Sequence, residues 1–535
     1  MKNREILLMR KTIILNVILG VLFAVLVAAE GIAVAAMIRL NMLPQNYLMA
    51  LVGVLAVLSL AVGLLLFIRG KKSGKIRKIV ASVLAVIMIC GCAAITTVAV
   101  DVMKTLEATS VDYLEFSTRE IYVLADNPVQ SLEVADDFTY GYLKAYDESC
   151  TKQVLDTLHE RTGAQPATAG YNNLLTMVNA LLEHRIDAMI LNGGILDILA
   201  EVEEFEDFSQ QTRVLEQVRV YETQLLGDVD TEEETQEMEE IVTAPTEAEQ
   251  MQLSGDGIDF SQLRPFVVYV SGSDSHDKEI IKNSRSDVNI LAVVNPLTKQ
   301  VLLINTPRDY YVVNSAAKGT EEERRDKLTH CGMYGTKCSM RTLGYLYGTD
   351  VEYFVRINFS GFKKMIDALG GVTVYSEHEF MAIGRTPIKV GENTLNGQQA
   401  LDFARERKRV PGGDSDRGRH QMQVITQVIE KATSGTTIIS NYSDIMASVD
   451  GMFDMNIPQE LISSLMKMQL SDMARWNVVS FSATGTGAMA ECYSAPGMEL
   501  SVMKPNYSSV NKASRLIDMV MDGELLTEEV INSIV

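Results

Sequence analysis

The stretch RERKRVPGGDSDRGRHQMQ, residues 405–423, gathers six arginines and lysines into nineteen positions of a chain whose formal net charge is −21. Arginine's planar fork meets two phosphate oxygens at once, which a lysine ammonium does not. Arg417 and Gln421 are four positions apart, so a helix here presents both on one face, about 6 Å apart at Cβ. Arg405 and Arg407 can close the other side of the same ligand, while Asp414 either orients the arginines or accepts the proton of an attacking hydroxyl. More charged groups stand where strand-like runs end or begin. They are Asp274 in SGSDSHD, Arg285 and Asp287 in RSD, Arg308 and Asp309 in TPRD, and Asp326 and Lys327 in RDKLTH. Ligands of open α/β sheets bind beyond strand ends, so these loops can converge. Asp274 and Asp287 offer hard oxygens suited to Mg²⁺. Arginines around a carboxylate-held metal are what a pyrophosphate requires, because its oxygens must be neutralised before a nucleophile attacks. A helix N-terminus near DRGRHQ adds backbone N–H donors.

The elements that must position these groups follow from periodicity. PFVVYVSG, SDVNILAVV, KQVLLINTP, EYFVRIN, GVTVYS and WNVVSFS are strand candidates rich in Val, Ile and Tyr. TKCSMRTLGYLYG, FSGFKKMIDALGG, NGQQALDFARER and RGRHQMQVITQVIEKA carry helical apolar spacing. The alternation predicts a sheet covered by helices on both faces, with residues 436–535 completing the same domain.

Upstream, Thr12–Ile38, Gln45–Ile68 and Ile79–Val100 are apolar runs, each longer than the roughly 20 residues that cross a bilayer. Glu30 is the one acid in the first run, placed to reach the interface. Lysines and arginines crowd the N-terminus and the loop RGKKSGKIRK, and cytoplasmic loops carry that excess. The expected topology is therefore three spans, a cytoplasmic N-terminus and everything after Val100 outside the cell. Residues 106–225 read as a small α/β accessory domain whose strand–helix–helix–strand order resembles one lobe of a solute-binding protein. Asp228–Glu249 holds ten acids and no base, the composition of a solvated linker. The expected division is a membrane anchor at 1–105, an accessory domain at 106–225, a linker at 226–259 and a catalytic domain at 260–535. Cys331 and Cys338 either close a short disulfide loop or remain thiols, since spacing does not show whether their Cβ atoms approach. Nothing in the cysteine and histidine spacing points to a zinc motif, and the exported location excludes DNA as a partner.

RSDVNILAVVNPLTKQVLLINTPRDYYV, DKLTH, VRINFSGFKKMIDALGGVTVY, LNGQQALDFARER and GDSDRGRHQMQVI, in that order over 260–435, resemble the LytR–CpsA–Psr family of membrane-anchored cell-envelope proteins. The resemblance implies an α/β/α domain with a mixed central sheet that binds a polyprenyl (pyro)phosphate lipid. It implies transfer of a teichoic-acid-like or capsular glycopolymer from that carrier to a peptidoglycan acceptor, with Mg²⁺ as cofactor. Carried over, Asp274 and Asp287 take the metal positions, and Arg285, Arg308, Arg405, Arg407 and Arg417 the phosphate positions. Lys327, Asp414 and Gln421 match polar positions lining the site. His276 and His420 stand where many members have arginine, which removes two permanent charges and can alter head-group affinity or pH response. His330 and His378 read as structural, and Lys408 and Arg409 as facing solvent or lipid head groups. Two other functions remain open: hydrolysis of the same glycolipid, and non-catalytic lipid binding that regulates envelope assembly.

Overall fold

The computed structural model describes residues 2–68, 74–109, 116–144, 148–200, 202–221, 263–273, 284–317, 319–434 and 452–534. Asp274, His276 and the acidic linker lie outside the described residues.

The three apolar runs form helices α1 (Lys2–Leu40), α2 (Gln45–Phe67) and α3 (Gly74–Thr109). Their candidate spans, Ile13–Leu40, Gln45–Phe67 and Lys75–Lys104, have mean hydropathies of 2.6, 2.8 and 2.6. Outward-facing Val, Ile and Leu along them are exposed, as helices that solvate themselves in lipid require. Glu30 corrects one expectation. It does not reach the interface but is buried against α2, where its carboxylate accepts the Ser59 hydroxyl at 2.5 Å.

The accessory unit is a five-stranded mixed sheet. In chain order its elements are β1 (Phe116–Leu124), β2 (Thr139–Leu143), α4 (Glu148–Thr162), β3 (Ala167–Tyr171), α5 (Leu174–Leu182), β4 (Ala188–Leu191) and β5 (Thr212–Tyr221). The spatial order is β3-β2-β4-β1-β5, with β2 parallel to both neighbours and β1 antiparallel to both of its own. The sequence indicated β1, α4, α5 and β4. It did not indicate β2, β3 or β5, whose short or charge-interrupted runs lack a long apolar face.

The larger sheet uses β6 (Phe266–Ser273), β7 (Ser286–Asn295), β8 (Gln300–Asn305), β9 (Tyr353–Asn358), β10 (Phe453–Met455) and β11 (Asn477–Ser482). Its order is β10-β9-β6-β7-β8-β11, and it is mixed: β9 runs parallel to β6 and β11 to β8, and the other pairs are antiparallel. Period-two alternation divides the side chains between two cores. Val268, Ile290, Ala292, Val301 and Leu303 face one layer with Met422 and Leu461. Val267, Tyr269, Leu291, Val293, Leu302 and Ile304 face the other, with Leu343 of helix α6 (Thr336–Tyr347) and Leu516. Both faces are covered, as the alternation of strand and helix patterns predicts. The second core runs on without a break into Leu174, Met177 and Ile195 of the accessory unit, and Asn192 Nδ2 donates to the Met333 carbonyl across the junction at 2.7 Å.

GVTVYS is a strand, but it pairs with Gly391–Leu395 in a separate two-stranded sheet. That sheet belongs to a third apolar cluster around Ile366, Val374, Phe403 and Val424, which faces the first core across a cleft. All six cysteines are free thiols, so the 331–338 loop is not closed.

Candidate active site

The site is built at one end of the large sheet. Ser273 ends β6 opposite Ser286, which begins β7, and β8 ends at Asn305 alongside. Asp287 and Arg308 are thereby brought together, and Arg308 Nη1 donates to Asp287 Oδ1 at 2.5 Å. Asp309 Oδ1 lies 3.5 Å from Arg308 Nε and 3.8 Å from Lys327 Nζ. Lys327 is buried behind this pair and does not line the cavity described below. Arg285, half-buried, directly precedes β7 and is not part of the cavity wall either.

Helix α7 (Phe359–Ala368) starts where β9 stops, with the Asn358 side chain accepting Gly361 N–H. Helix α8 (Gly397–Arg405) opens on a capping box between Asn396 and Gln399. It ends at Arg405 because Glu406 turns extended. The Arg405 guanidinium then lies 4.2 Å from the centre of the Phe359 ring, a cation–π contact.

Glu406 holds the RERKR turn together. Its buried carboxylate accepts backbone N–H groups from Ile383, Lys408 and Arg409 at 2.7, 2.7 and 3.0 Å. Burial pushes this carboxyl up, but the three N–H donors and the Arg409 guanidinium outweigh it, leaving its pKa below the usual glutamate value. Glu406→Ala removes the charged acceptor that holds these three backbone N–H groups, so we expect a loss of about 3 kcal/mol in stability. Glu406→Gln keeps one acceptor oxygen and should recover part of it. Chemical denaturation of the three proteins checks the order.

Helix α9 (Asp414–Thr433) begins after Gly413, whose φ of +56° suits glycine. Arg417, 8% exposed, pairs through Nη2 with Asp414 Oδ1 at 2.6 Å. Burial drags the Arg417 pKa below its ordinary value, and the charges of Arg308 and Arg407 add to this. Asp414 and Asp287 oppose it. Gly418 lets the helix come down on the sheet end, since a Cβ there would collide with the Asn305 amide. Gln421 Nε2 ties the helix to the Ala404 carbonyl at 3.3 Å.

Between the sheet, α7, α8 and α9 lies a cavity of about 760 Å³. Asp287, Arg308, Arg405, Arg407, Arg417 and Gln421 are among its polar lining residues, with Lys408 and Arg409 beside them. Val268, Ala292, Val355, Phe362, Met365, Val424, Ile425 and Ile429 are among the apolar residues of the rest. One chamber thus offers an arginine-rich part for anionic oxygens and an apolar part beside it.

His420 takes no part in this wall. Its ring stacks on Phe403 at 3.9 Å and Phe380 at 5.7 Å, and Nδ1 meets the Phe403 carbonyl at 3.1 Å. Burial pushes its pKa down to about 4, against the upward pull of the Phe403 carbonyl and Asp416. The ring is therefore uncharged near neutral pH. Below about pH 6.5 the unfolded chain takes up a proton that the folded chain refuses until about pH 4, so stability falls as pH falls through that window, by about 3 kcal/mol. His420→Gln should be less stable at pH 8 and flatter between pH 7 and pH 4 in thermal melts; parallel curves would put the titration elsewhere.

Two buried charged residues beside the sheet end escaped the sequence reading. Glu406 stood in the sequence only as one acid among the basic residues of RERKR. Arg356 is buried in β9, where Nη2 donates to the Ser284 hydroxyl and carbonyl at 2.7 and 3.2 Å. The signal for it was a charge at a position of VRIN that alternation turns inward.

The LytR_cpsA_psr family pattern matches residues 225–509, more than half of the chain. The chain belongs to this family. It is similar to two family transferases named polyisoprenyl-teichoic acid–peptidoglycan teichoic acid transferase TagU. The Enterococcus faecalis protein is 32% identical over 193 residues, 36% of this chain and 61% of that one. The Bacillus subtilis protein is 33% identical over 201 residues, 37% of this chain and 62% of that one. The chain thus spans somewhat under two thirds of these relatives. Among solved structures, B. subtilis TagV matches with a TM-score of 0.41 at 21% identity, over 49% of this chain and 99% of that one.

Proposed function

We propose that the chain is a membrane-anchored transferase that moves a teichoic-acid-like glycopolymer from a polyprenyl-pyrophosphate carrier to peptidoglycan on the outer face of the membrane. The observation that carries this reading is the single cavity with an arginine-rich part and an apolar part. Its two halves match the two halves of a prenyl pyrophosphate, and the names of the similar transferases agree. Three helices long and apolar enough to cross a bilayer precede the domain, and the basic flanks of the first and second favour an inside N-terminus.

In this reading Arg308, Arg405, Arg407 and Arg417 hold the pyrophosphate oxygens and stabilise charge as the phosphorus–oxygen bond to the carrier breaks. Asp414 keeps Arg417 in place through their 2.6 Å pair, which supports the orienting role over the proton-accepting one. The donor chemistry fits a magnesium ion: Asp287 supplies a carboxylate in the polar part of the cavity, and Mg²⁺ takes one or two carboxylates together with phosphate oxygens. Bound there with Asp274, Mg²⁺ would neutralise phosphate charge and favour the leaving group.

The test incubates the full chain in vesicles with a polyprenyl-pyrophosphate sugar, with and without peptidoglycan. Sugar joined to the wall by a phosphodiester supports transfer. Release to water alone means a hydrolase, and intact lipid throughout means a binding protein.

A further inference from the structure

The membrane helices are not a free tether. Asn41, between α1 and α2, accepts the Lys467 ammonium at 2.8 Å, and the Tyr47 hydroxyl reaches the Leu470 carbonyl at 3.4 Å. Lys467 and Leu470 lie on α10 (Gln459–Asp472) of the large domain. Beside these polar pins, Ala36 and Leu40 of α1 and Ala99 and Val102 of α3 are buried in one apolar cluster with Met455 of β10. These residues stand at the far ends of their spans, which run to Leu40 and Lys104.

Two members of the seam have a second role. Val355 of β9 and Phe453 of β10 pack against the helix ends, and the same two side chains wall the apolar cavity. The apolar surface therefore continues from the cavity, across the edge of the sheet, to the tips of α1 and α3. A cavity of about 760 Å³ is the size that suits a compact ligand, whereas a prenyl chain that can anchor a glycopolymer is much longer. Its remainder must stay out of water, because every exposed methylene opposes binding.

We infer that the seam between the outer ends of α1 and α3 and the sheet edge at Val355 and Phe453 is the portal through which the prenyl tail passes from bilayer to cavity. The anchor is then part of the lipid site. The tail lies along Met37 and Met103, which pack against the same cluster, while the pyrophosphate stays at the arginines. The inference rests on the proposed lipid substrate.

The test uses the full chain in vesicles and a polyprenyl phosphate with a photoreactive diazirine on its last isoprene unit. After illumination, labelled peptides are mapped by mass spectrometry in the native protein and in Arg417→Ala. Label on residues 33–42 and 99–104 that falls at least about tenfold in Arg417→Ala supports the portal, since one charge-assisted contact at the head group is worth that factor. Label on those residues that ignores Arg417→Ala is ordinary bilayer contact and overturns it. Label confined to Val424–Ile429 also overturns it, with the tail coiled inside the cavity and the lipid reading intact. No label in either region refutes the lipid reading, and the portal with it.

Discussion

In the proposed transfer reaction, Arg417→Ala is expected to lower the rate by about ten- to a hundredfold, because one charge-assisted hydrogen bond contributes about 1.5–3 kcal/mol. The structure gives Arg417 little other work. Its guanidinium is aimed into the cavity, braced by Asp414 from within its own helix and close enough to Arg308, Arg407 and Asp287 to feel their charges. Arg417→Lys should recover little: the charge survives, but the fork that meets two oxygens in one plane does not. Gly418 sharpens this demand, since a Cβ there would displace the Asn305 amide against which the helix is set. Lys408, exposed at the same mouth, is the control, and its change to alanine should leave transfer within about twofold, as screened surface charges do. Rates measured for these three variants decide the matter. Equal losses at Lys408 and Arg417 would mean a diffuse basic patch without defined phosphate contacts.

Residues that act through pattern were legible in the sequence, and residues that act through distant contact were not. β6, β7 and β8 are runs rich in Val, Ile and Tyr, which marked them as strands, and the charged groups beside their ends were thereby placed to converge beyond the sheet. Asp287 and Arg308 met in this way, although 21 positions separate them. Glu406 looked like any acid in a basic run. Its role depends on Ile383, which a hairpin brings back from 23 positions away. His420 looked like a lost arginine, and only the arrival of Phe380 and Phe403 shows that it faces a stack rather than the phosphate end. The docking of α1 and α3 was illegible for a similar reason. A membrane span reads as uniformly apolar, so nothing in α1 marks Ala36 and Leu40 as the face that meets Met455, far along the chain. Arg356 falls between these cases. Its inward position was readable, whereas its partner Ser284, 72 positions earlier, was not.

Asp287→Asn should abolish most transfer while leaving the fold intact. The amide oxygen can still accept from Arg308 Nη1 where the carboxylate now does, at 2.5 Å, so the geometry of the sheet end is kept. What is lost is the negative charge, which in the proposed mechanism holds Mg²⁺ against the pyrophosphate. Asp287→Ala is the harsher change. It removes Arg308's partner in a pair whose side chains are 12% and 22% exposed, and breaking such a pair leaves an uncompensated charge that costs about 3 kcal/mol. The two variants therefore separate electrostatics from architecture: alanine should lower both stability and transfer, and asparagine transfer alone. A readout without substrate isolates the metal. Magnesium chloride should raise the melting temperature of the native chain, because an ion that binds only the folded state stabilises it by mass action. It should do so much less for Asp287→Asn. An equal magnesium shift in both proteins, or full transfer by Asp287→Asn, would remove this carboxylate from the metal site and leave the arginines to neutralise the pyrophosphate alone.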